Sequence, residues 1–422
     1  MHEAFLNCLA SRERASWWSL NSKTTWPLSQ VHNACMAWLW PGVPILFTTL
    51  LALGLLRSLR NVALCGVLEQ WKPPEPEVWP SLSVVVPARD EEADLPSTFE
   101  SLAQQPYPDL EVVLVDDRSI DGTSKLGQSW ATKDGRFRYF RVDHLPEAWL
   151  GKPHAMHCGV KESKGEWLLF TDADVRFEPG TLQRAVAWCL ANRVDHLAVG
   201  PWIRASTWPQ AIAFGGFGAS YLIRLRFVGS GLLHPKSYAG VGAFNLVRRS
   251  ALEQTEGWPW LRMEIAEDVG LGLLLQRHGF RGGFALSGGD LHLDWYSSFP
   301  SLVAGLEKNM FPVGARLQYS RLVILIILLL ASALTPVLLC FHPTWWPLGA
   351  LVYGGNSFAG LWLGWRIGRL QWLPCLLHPL GLLLLAWIFL RSAIHVHRHQ
   401  GIQWRGTYYP IHQLREGQRV KL

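Results

Sequence analysis

Short apolar runs in the first half of the chain alternate with helical stretches. Three runs, at residues 82–86, 111–115 and 167–171, are rich in valine, leucine or aromatic residues and end in polar, acidic positions. Runs of this length and composition predict buried strands. Residues 92–104 and 179–192 predict helices between and after them. This alternation predicts an α/β fold built on a mostly parallel sheet.

Much longer apolar stretches flank this region. Residues 34–56, 322–365 and 370–390 contain no Asp, Glu, Lys or Arg. Each can cross about 30 Å of hydrocarbon, and the middle one can cross twice with a break at Pro343 or Pro347. A buried helix of a soluble domain is the alternative for any single stretch, but three together favour membrane helices. The first follows mostly polar residues and is interpreted as an uncleaved anchor rather than a signal peptide.

The charge distribution agrees with a membrane protein. Charged residues make up only 17% of the 422 residues, and the net charge is +6, with basic residues beside the apolar stretches. Such clusters suit an anionic membrane surface, and no nucleic-acid motif is present. Arg57 and Arg60, just after the first stretch, favour a cytoplasmic location for the central domain. The same rule places the basic tail in the cytoplasm. One anchor plus three further crossings would place the tail outside. The two arguments conflict unless one apolar stretch is re-entrant or interfacial.

A proline-rich segment and the apolar stretches set the expected domain boundaries. The seven cysteines are scattered without C-x-x-C spacing, which argues against a disulfide framework or a zinc site. The chain is predicted to comprise a polar segment (1–33), a transmembrane anchor (34–60), a proline-rich linker (61–80), an α/β catalytic domain (81–311), a membrane region of two or three helices (312–394) and a basic tail (395–422).

Acidic residues follow each of the three predicted strands. Asp172 and Asp174 come directly after the third run, Asp116 and Asp117 after the second, and residues 90–92 after the first. Because ligands of open α/β sheets bind at the carboxyl ends of the strands, we expect these carboxylates to gather at one edge. Clustered charges are costly unless a cation or donors satisfy them, and oxygen ligands suit Mg²⁺ or Mn²⁺. Helix capping explains single positions but not the joint pattern.

Another acidic pair lies later in the domain. Glu267 and Asp268 precede residues 269–277, which predict a helix ending near Gly279. The helix dipole favours carboxylates in a first turn, and that alone could account for Glu267. Beside a metal–diphosphate site, a carboxylate can also take the proton from an attacking hydroxyl. The glycine-rich segment 240–245 lacks G-x-G-x-x-G spacing and is weak evidence for phosphate binding.

Four motifs in chain order resemble the signature of family 2 glycosyltransferases with the GT-A fold. They are VVVPARDEE at 84–92, VDDRSIDGT at 115–123, DAD at 172–174 and ED at 267–268. WLGKPHA at 149–155 and WRGTYY at 404–409 resemble the W-x-G-K segment and the W-(K/R)-G-R-x-Y ending of the membrane branch, which includes ceramide glucosyltransferase-like, hopanoid-associated and carotenoid glycosyltransferases. The resemblance implies a Rossmann-like GT-A domain flanked by transmembrane helices.

The resemblance also assigns expected roles by position. Asp268 would be the general base, with Glu267 beside it. Asp172 and Asp174 would frame the metal–diphosphate, with Asp174 the likelier direct ligand of a divalent cation, Mg²⁺ or Mn²⁺. The expected nucleotide-binding residues are Pro87, Ala88, Glu91, Asp116, Asp117, Lys152 and Asp172.

The reaction implied is transfer of a hexose from a nucleotide sugar by direct displacement. Asp268 would deprotonate an acceptor hydroxyl, whose oxygen attacks the anomeric carbon opposite the diphosphate, and configuration inverts. Burial or a neighbouring carboxylate is expected to raise the pKa of Asp268 toward working pH. The Q-x-x-R-W motif of processive synthases is replaced by residues 306–311, which favours a single transfer. Lys308 there could serve the diphosphate or be an interfacial basic residue.

Other departures and alternatives leave the substrates open. Arg89 and Asp90 replace the commoner tyrosine–asparagine, so the base of the nucleotide is not determined, and Thr407 replaces an arginine of the tail motif. The apolar stretches favour an integral membrane enzyme with a lipid hydroxyl acceptor. A polyprenyl phosphate acceptor, which needs no base, is one alternative. A catalytically silent membrane scaffold is another, disfavoured because all the expected carboxylates are present.

Overall fold

The structure, a computed structural model, describes residues 49–421. The predicted segment 1–33 and residues 34–48 of the predicted anchor lie outside the described residues. A helix, α1, covers residues 49–64. The strands in chain order are β1 (Gly66–Val67), β2 (Leu82–Ala88), β3 (Leu110–Asp117), β4 (Phe137–Val142), β5 (Trp167–Phe170), β6 (Arg176–Phe177), β7 (His196–Gly200), β8 (Trp202–Ile203), β9 (Asn245–Arg248), β10 (Gly282–Leu286), β11 (Leu291–Leu293), β12 (Gly401–Trp404) and β13 (Thr407–Pro410).

Helices connect most of these strands and then form the C-terminal region. The predicted helices at 92–104 and 179–192 are found with slightly shorter bounds. In chain order after α1, the helices are α2 (Leu95–Ala103), α3 (Thr123–Lys133), α4 (Gly151–Glu162), α5 (Thr181–Asn192), α6 (Trp208–Arg224), α7 (Arg249–Glu253), α8 (Glu267–Arg277), α9 (Phe299–Glu307), α10 (Tyr319–Cys340), α11 (Trp346–Arg366), α12 (Trp372–Leu376), α13 (His378–His399) and α14 (Ile411–Gly417).

The main sheet of the described chain has eight strands in the order β1-β10-β7-β9-β5-β2-β3-β4. Neighbouring strands are parallel except at β9, which runs antiparallel to β5 and β7. The predicted α/β fold with a mostly parallel sheet is therefore confirmed. The three predicted strands are the adjacent β5, β2 and β3, and Ala88 pairs with Asp116 near their carboxyl ends.

The central strands are continuously apolar because helices cover both faces of the sheet. Along β2, Val84 and Val86 pack in a core cluster with Phe99 of α2. Val85 points to the other face and packs in a cluster with Met156 of α4. A parallel strand buried on both faces needs apolar side chains at every position rather than at alternate ones.

The C-terminal apolar stretches form helices that follow the α/β domain. Among the described residues, α10 and α13 are long and apolar enough to cross a membrane, by length and composition. The chain breaks between Cys340 and Trp346, where the sequence predicted a break. Helix α13 continues to His399, beyond the predicted end of the membrane region at residue 394. The described part of the predicted basic tail is folded, with the hairpin β12–β13 and then α14.

Helix α6 crosses α13 at a contact between two glycines. A Cβ on Gly216 would lie 2.9 Å from the backbone carbonyl carbon of Gly381. A Cβ on Gly381 would lie 2.7 Å from the backbone oxygen of Ile212. The two helices therefore touch backbone to backbone, and an added side chain would have to push them apart.

We expect Gly216→Ala to lower the thermal unfolding midpoint of detergent-purified protein, because overpacking costs about 1–3 kcal/mol. Gly218→Ala in the same helix is the matched control, since nothing lies within 4 Å of its Cβ position. That control should keep or raise the midpoint, because alanine is more favourable than glycine in a helix by about 0.5–1 kcal/mol. Equal midpoints for the two variants would contradict the close crossing.

Candidate active site

The carboxyl ends of β5, β2 and β3 form one edge of the sheet, and the predicted site residues gather there. Ala88 is the last residue of β2, Asp117 is the last residue of β3, and Asp172 follows β5. The first turns of α4 and α8 complete the site, and they contribute Lys152 and Asp268. The predicted residues therefore come together from five separate parts of the chain.

Lys152 lies at the centre of the site and joins its two acidic groups. Its Nζ is 2.6 Å from Oδ1 of Asp172 and 2.7 Å from Oε1 of Glu267. Burial alone lowers the pKa of Lys152, but the charges of Asp172 and Glu267 outweigh burial and hold that pKa well above its usual value. Lys152 is therefore a fixed positive charge between Asp172, which follows β5, and Glu267, which begins α8.

Asp268 and Glu267 open helix α8, and their carboxylates are buried to different extents. Oδ1 of Asp268 accepts a hydrogen bond from the backbone N–H of Val269 at 2.8 Å, and Oδ2 accepts one from the backbone N–H of Gly242 at 2.9 Å. Burial raises the pKa of Glu267 to about 7 and also raises the pKa of Asp268, while the charge of Lys152 opposes both shifts. The expected upward shift at Asp268 is found, and burial is its cause.

The glycine-rich segment before β9 allows the backbone to approach these carboxylates. A Cβ on Gly240 would lie 1.9 Å from the backbone oxygen of Asp268, and a Cβ on Gly242 would lie 2.8 Å from Oδ2 of Asp172. Neither position has room for a side chain. Close approach of the main chain, rather than phosphate binding, accounts for these glycines.

Asp174 lies in a concentration of negative charge. Burial, together with the charges of Asp172 and Glu91, raises the pKa of Asp174 to about 7. A hard divalent cation would relieve this repulsion, so the donor chemistry fits Mg²⁺ or Mn²⁺. Within residues 49–421, no group of three or more His, Cys, Asp or Glu side chains is arranged to hold a metal ion. An ion here would take few ligands from the protein, which suits Mg²⁺ bound by one or two carboxylates and substrate phosphates.

Asp116 is fully buried beneath the cleft. Its carboxylate accepts hydrogen bonds from the backbone N–H of Ser119 and from the side chains of Ser124, Tyr139 and Arg141. Burial raises the pKa of Asp116, but the hydrogen bonds outweigh burial and the pKa lies below its usual value. These contacts fix the loop after β3, and contact of Asp116 with a nucleotide stays a prediction.

The other expected nucleotide-binding residues form the wall of the cleft. Asp117 is buried, and its two carboxylate oxygens accept hydrogen bonds from Arg118 at 2.8 and 3.0 Å. Ala88 is buried at the end of β2, and Pro87 beside it is half-buried. Glu91 lies at the same edge, in the loop that follows. Their contacts with a nucleotide stay predictions.

The hairpin β12–β13 lies against this wall, a contact that the sequence analysis missed. The guanidinium of Arg405 donates to the backbone oxygen of Arg89 at 2.8 Å and to the carboxylate of Glu91. Burial raises the pKa of the Tyr409 hydroxyl, and the nearby backbone N–H of Gly151 lowers it. The W-R-G segment of the tail was the signal that could have indicated this contact. The hairpin is therefore part of the site.

The last described residues contact the loop that leads into Glu267 and Asp268. The buried carboxylate of Glu264 accepts hydrogen bonds from the backbone N–H groups of Arg419 and Val420 at 2.5 and 2.9 Å. Val420 also packs against Ala266. The C-terminal segment is thus held by contacts with the residues that directly precede Glu267.

Residues 83–255 match the family model described as Glycosyl transferase family 2. The chain carries a family 2 glycosyltransferase domain. The match includes β2, β3 and β5 and the carboxylates that follow them. The predicted family and its GT-A fold are therefore confirmed, and the protein is a nucleotide-sugar-dependent glycosyltransferase.

Known proteins resemble the chain beyond this domain. The 4,4'-diaponeurosporenoate glycosyltransferase of Staphylococcus aureus (strain bovine RF122 / ET3-1) is 25% identical over 356 residues, which cover 78% of this chain and 88% of the relative. A mannosyltransferase from Pyrobaculum calidifontis, solved in complex with GDP-Man and Mn²⁺, is 19% identical with a TM-score of 0.46, and the match covers 83% of this chain and 96% of that one. S. aureus TarS 1–349 in complex with UDP-GlcNAc is 15% identical with a TM-score of 0.38, with coverages of 78% and 95%.

We expect Glu264→Ala to release the C-terminal segment of this glycosyltransferase. Two backbone N–H groups lose a charged acceptor, and hydrogen bonds to charged groups contribute about 1.5–3 kcal/mol each. Hydrogen exchange followed by mass spectrometry should show faster exchange at residues 418–421 and 264–268. The control is Glu256→Ala, which removes a half-exposed carboxylate paired with His278. Wild-type exchange rates in the Glu264 variant would contradict the brace.

Proposed function

We propose that this enzyme is a membrane-bound, inverting, non-processive hexosyltransferase that moves one sugar from a nucleotide sugar to a hydroxyl group of a lipid. The proposal rests on the position of Asp268. Its neighbour Glu267 forms an ion pair with Lys152, and Lys152 also forms an ion pair with Asp172. A base for the acceptor and a group for the donor diphosphate are thereby held around one half-buried cation, the ammonium group of Lys152.

Asp268 supplies the base. Its oxygens are held by the backbone N–H groups of Gly242 and Val269. Asp268 as a residue is less buried than Glu267, which favours Asp268 as the group that meets the acceptor. Asp268 takes the proton of the acceptor hydroxyl, whose oxygen forms a bond to the anomeric carbon. The bond from that carbon to the diphosphate breaks, and its electron pair leaves with the diphosphate. Burial raises the pKa of Asp268 and makes it a stronger base.

Asp172 and Asp174 are the residues proposed to hold the divalent cation. When bound, such a cation neutralises the charge that develops on the leaving diphosphate. Lys152 orients Asp172 and adds a fixed positive charge near the phosphates. The wall formed by Pro87, Ala88 and Asp117 would receive the nucleoside.

Membrane attachment and a lipid acceptor are supported by the packing of the apolar helices. Leu322 of α10 and Phe389 of α13 share an apolar cluster with Met263 and Ile265. These last two residues lie just before the catalytic pair, so an acceptor that resides in the membrane would be delivered close to the base. The S. aureus relative is named for 4,4'-diaponeurosporenoate, a carotenoid, which supports an apolar acceptor here.

The positions of the arginines and of the hairpin support a cytoplasmic catalytic domain. Arg57 and Arg60 at the end of α1 donate hydrogen bonds to the backbone oxygens of Arg224 and Phe227, and positive charge beside a membrane helix favours the cytoplasmic side. The hairpin β12–β13 follows α13 and touches the active site, so it lies on the same side as the domain. Crossings by α10 and α13 alone satisfy this requirement, with α11 re-entrant or interfacial.

A nucleotide-release assay on detergent-purified protein tests the proposal. UDP- and GDP-sugars would be supplied with Mg²⁺ or Mn²⁺, with and without total host lipid, and the glycolipid product would be followed. Release should require both metal and lipid. Asp268→Asn should lower transfer by roughly 10²–10⁴-fold, because the general base is lost, whereas the exposed Asp143→Asn should retain activity. A mild effect of Asp268→Asn on transfer would favour a polyprenyl phosphate acceptor. Absence of nucleotide release with every donor would favour the catalytically silent membrane scaffold.

Lys152→Met should move the acid limb of the pH–rate profile to higher pH. The charge of Lys152 lowers the pKa values of Glu267 and Asp268, so its removal raises both, and the base becomes protonated at a higher pH. Activity is then lost earlier as pH falls. The profile of kcat/KM against pH measures the shift independently of any loss in overall rate. Lys161→Met at the other end of α4 is the control, and an unshifted acid limb in Lys152→Met would contradict the coupling.

A further inference from the structure

The tip of the hairpin β12–β13 has an unusual backbone conformation. Arg405 and Gly406, the two residues of the turn, have φ angles of 47° and 77°, the pattern of a type I′ turn. Glycine adopts a positive φ readily, whereas arginine does so rarely. Strained residues of this kind cluster at functional sites, so the position of Arg405 points to a function of its side chain.

The side chain of Arg405 reaches the acidic edge of the cleft. Its guanidinium donates to the backbone oxygen of Arg89 at 2.8 Å and pairs with the carboxylate of Glu91. Glu91 is close enough to Asp172 and Asp174 for the three charges to act on one another. The Arg405 side chain is 45% exposed, so a ligand in the cleft can reach it.

A second cation lies beside Arg405. Lys308 follows α9, and its Nζ lies 5.9 Å from the centre of the Trp404 ring. Burial lowers the pKa of Lys308, and the nearby charge of Arg405 lowers it further. Among the residues that the structure describes, no carboxylate forms an ion pair with Lys308. Two neighbouring cations repel each other, and an anion with several charged oxygens would stabilise both.

We propose that Arg405, together with Lys308, binds the diphosphate of the sugar donor at the edge of the cleft marked by Glu91. This inference rests on the proposed function, which requires a nucleotide-sugar diphosphate in the cleft. The Q-x-x-R-W arginine of processive synthases is absent from residues 306–311, and the C-terminal hairpin brings another arginine to the site. The same segment, 306–311, still contributes a cation through Lys308.

The ion pair with Glu91 holds Arg405 in place when no donor is bound. Half-exposed ion pairs contribute little to stability because solvent screens them. A diphosphate presents several charged oxygens, and a guanidinium binds two of them at once in its planar fork. Arg405 therefore exchanges Glu91 for the diphosphate when the donor binds.

Isothermal titration of the full-length, detergent-purified protein tests this proposal. The probes are inorganic pyrophosphate, UDP and GDP, each with Mg²⁺. Arg405→Ala should weaken the binding of every probe that the wild type binds by about tenfold or more, because a charge-assisted contact is lost. Arg405→Lys should be intermediate, since it keeps the charge without the fork, and Lys308→Met should also weaken binding.

Two further variants separate ligand binding from a structural role. Arg415→Ala is the matched control, because this arginine of α14 donates to the backbone oxygen of Leu317 and should leave affinity unchanged. Glu91→Gln removes a negative charge beside the phosphates and frees Arg405, so its affinity for pyrophosphate should stay the same or rise.

Three outcomes overturn the proposal. They are unchanged affinity in Arg405→Ala, equal weakening of pyrophosphate binding in Arg405→Ala and Glu91→Gln, and a wild type that binds none of the probes. Equal weakening would mean that Arg405 only anchors the hairpin through Glu91. No transfer step enters these titrations, so the Asp268→Asn assay judges the proposed function separately.

Discussion

A half-buried lysine joins the two halves of this candidate active site. Lys152 contacts Asp172 after β5 and Glu267 at the start of α8, at 2.6 and 2.7 Å. The three residues lie in separate parts of the sequence, and only Glu267 among them is fully buried. The positions of the carboxylates proposed to bind the metal and of the proposed base Asp268 both depend on this contact.

Glycines allow the backbone to come close enough for that contact. Gly151 lets α4 begin against Asp117, since a Cβ at Gly151 would lie 2.4 Å from the Asp117 carboxylate. Gly240 and Gly242 let their segment pass beside Asp268, and the N–H of Gly242 then binds the carboxylate of Asp268. The geometry of the proposed base is therefore set by main-chain groups, which move less than side chains.

The C-terminal part of the chain returns to the site after the apolar helices. Helix α13 leads directly into the hairpin that carries Arg405. In the segment after the hairpin, the backbone N–H of Arg419 donates a hydrogen bond to Glu264. The same helix packs with Met263 in an apolar cluster. The helices proposed to cross the membrane and the proposed catalytic residues are thus parts of one packed structure, which suits the proposed lipid acceptor.

The sequence alone determined the three central strands β2, β3 and β5 and the mostly parallel sheet, because buried parallel strands need apolar runs. It also placed the acidic motifs at the carboxyl ends of those strands, where ligands of such sheets bind. It also indicated the two apolar helices and the raised pKa of Asp268. It did not indicate that Asp116 lies beneath the cleft with four donors, nor that Arg405 reaches Glu91. Those contacts join residues distant in the chain. These residues come into contact only in the tertiary structure, when the sheet has formed, the backbone at the glycines has packed closely and the C-terminal segment has returned to the site.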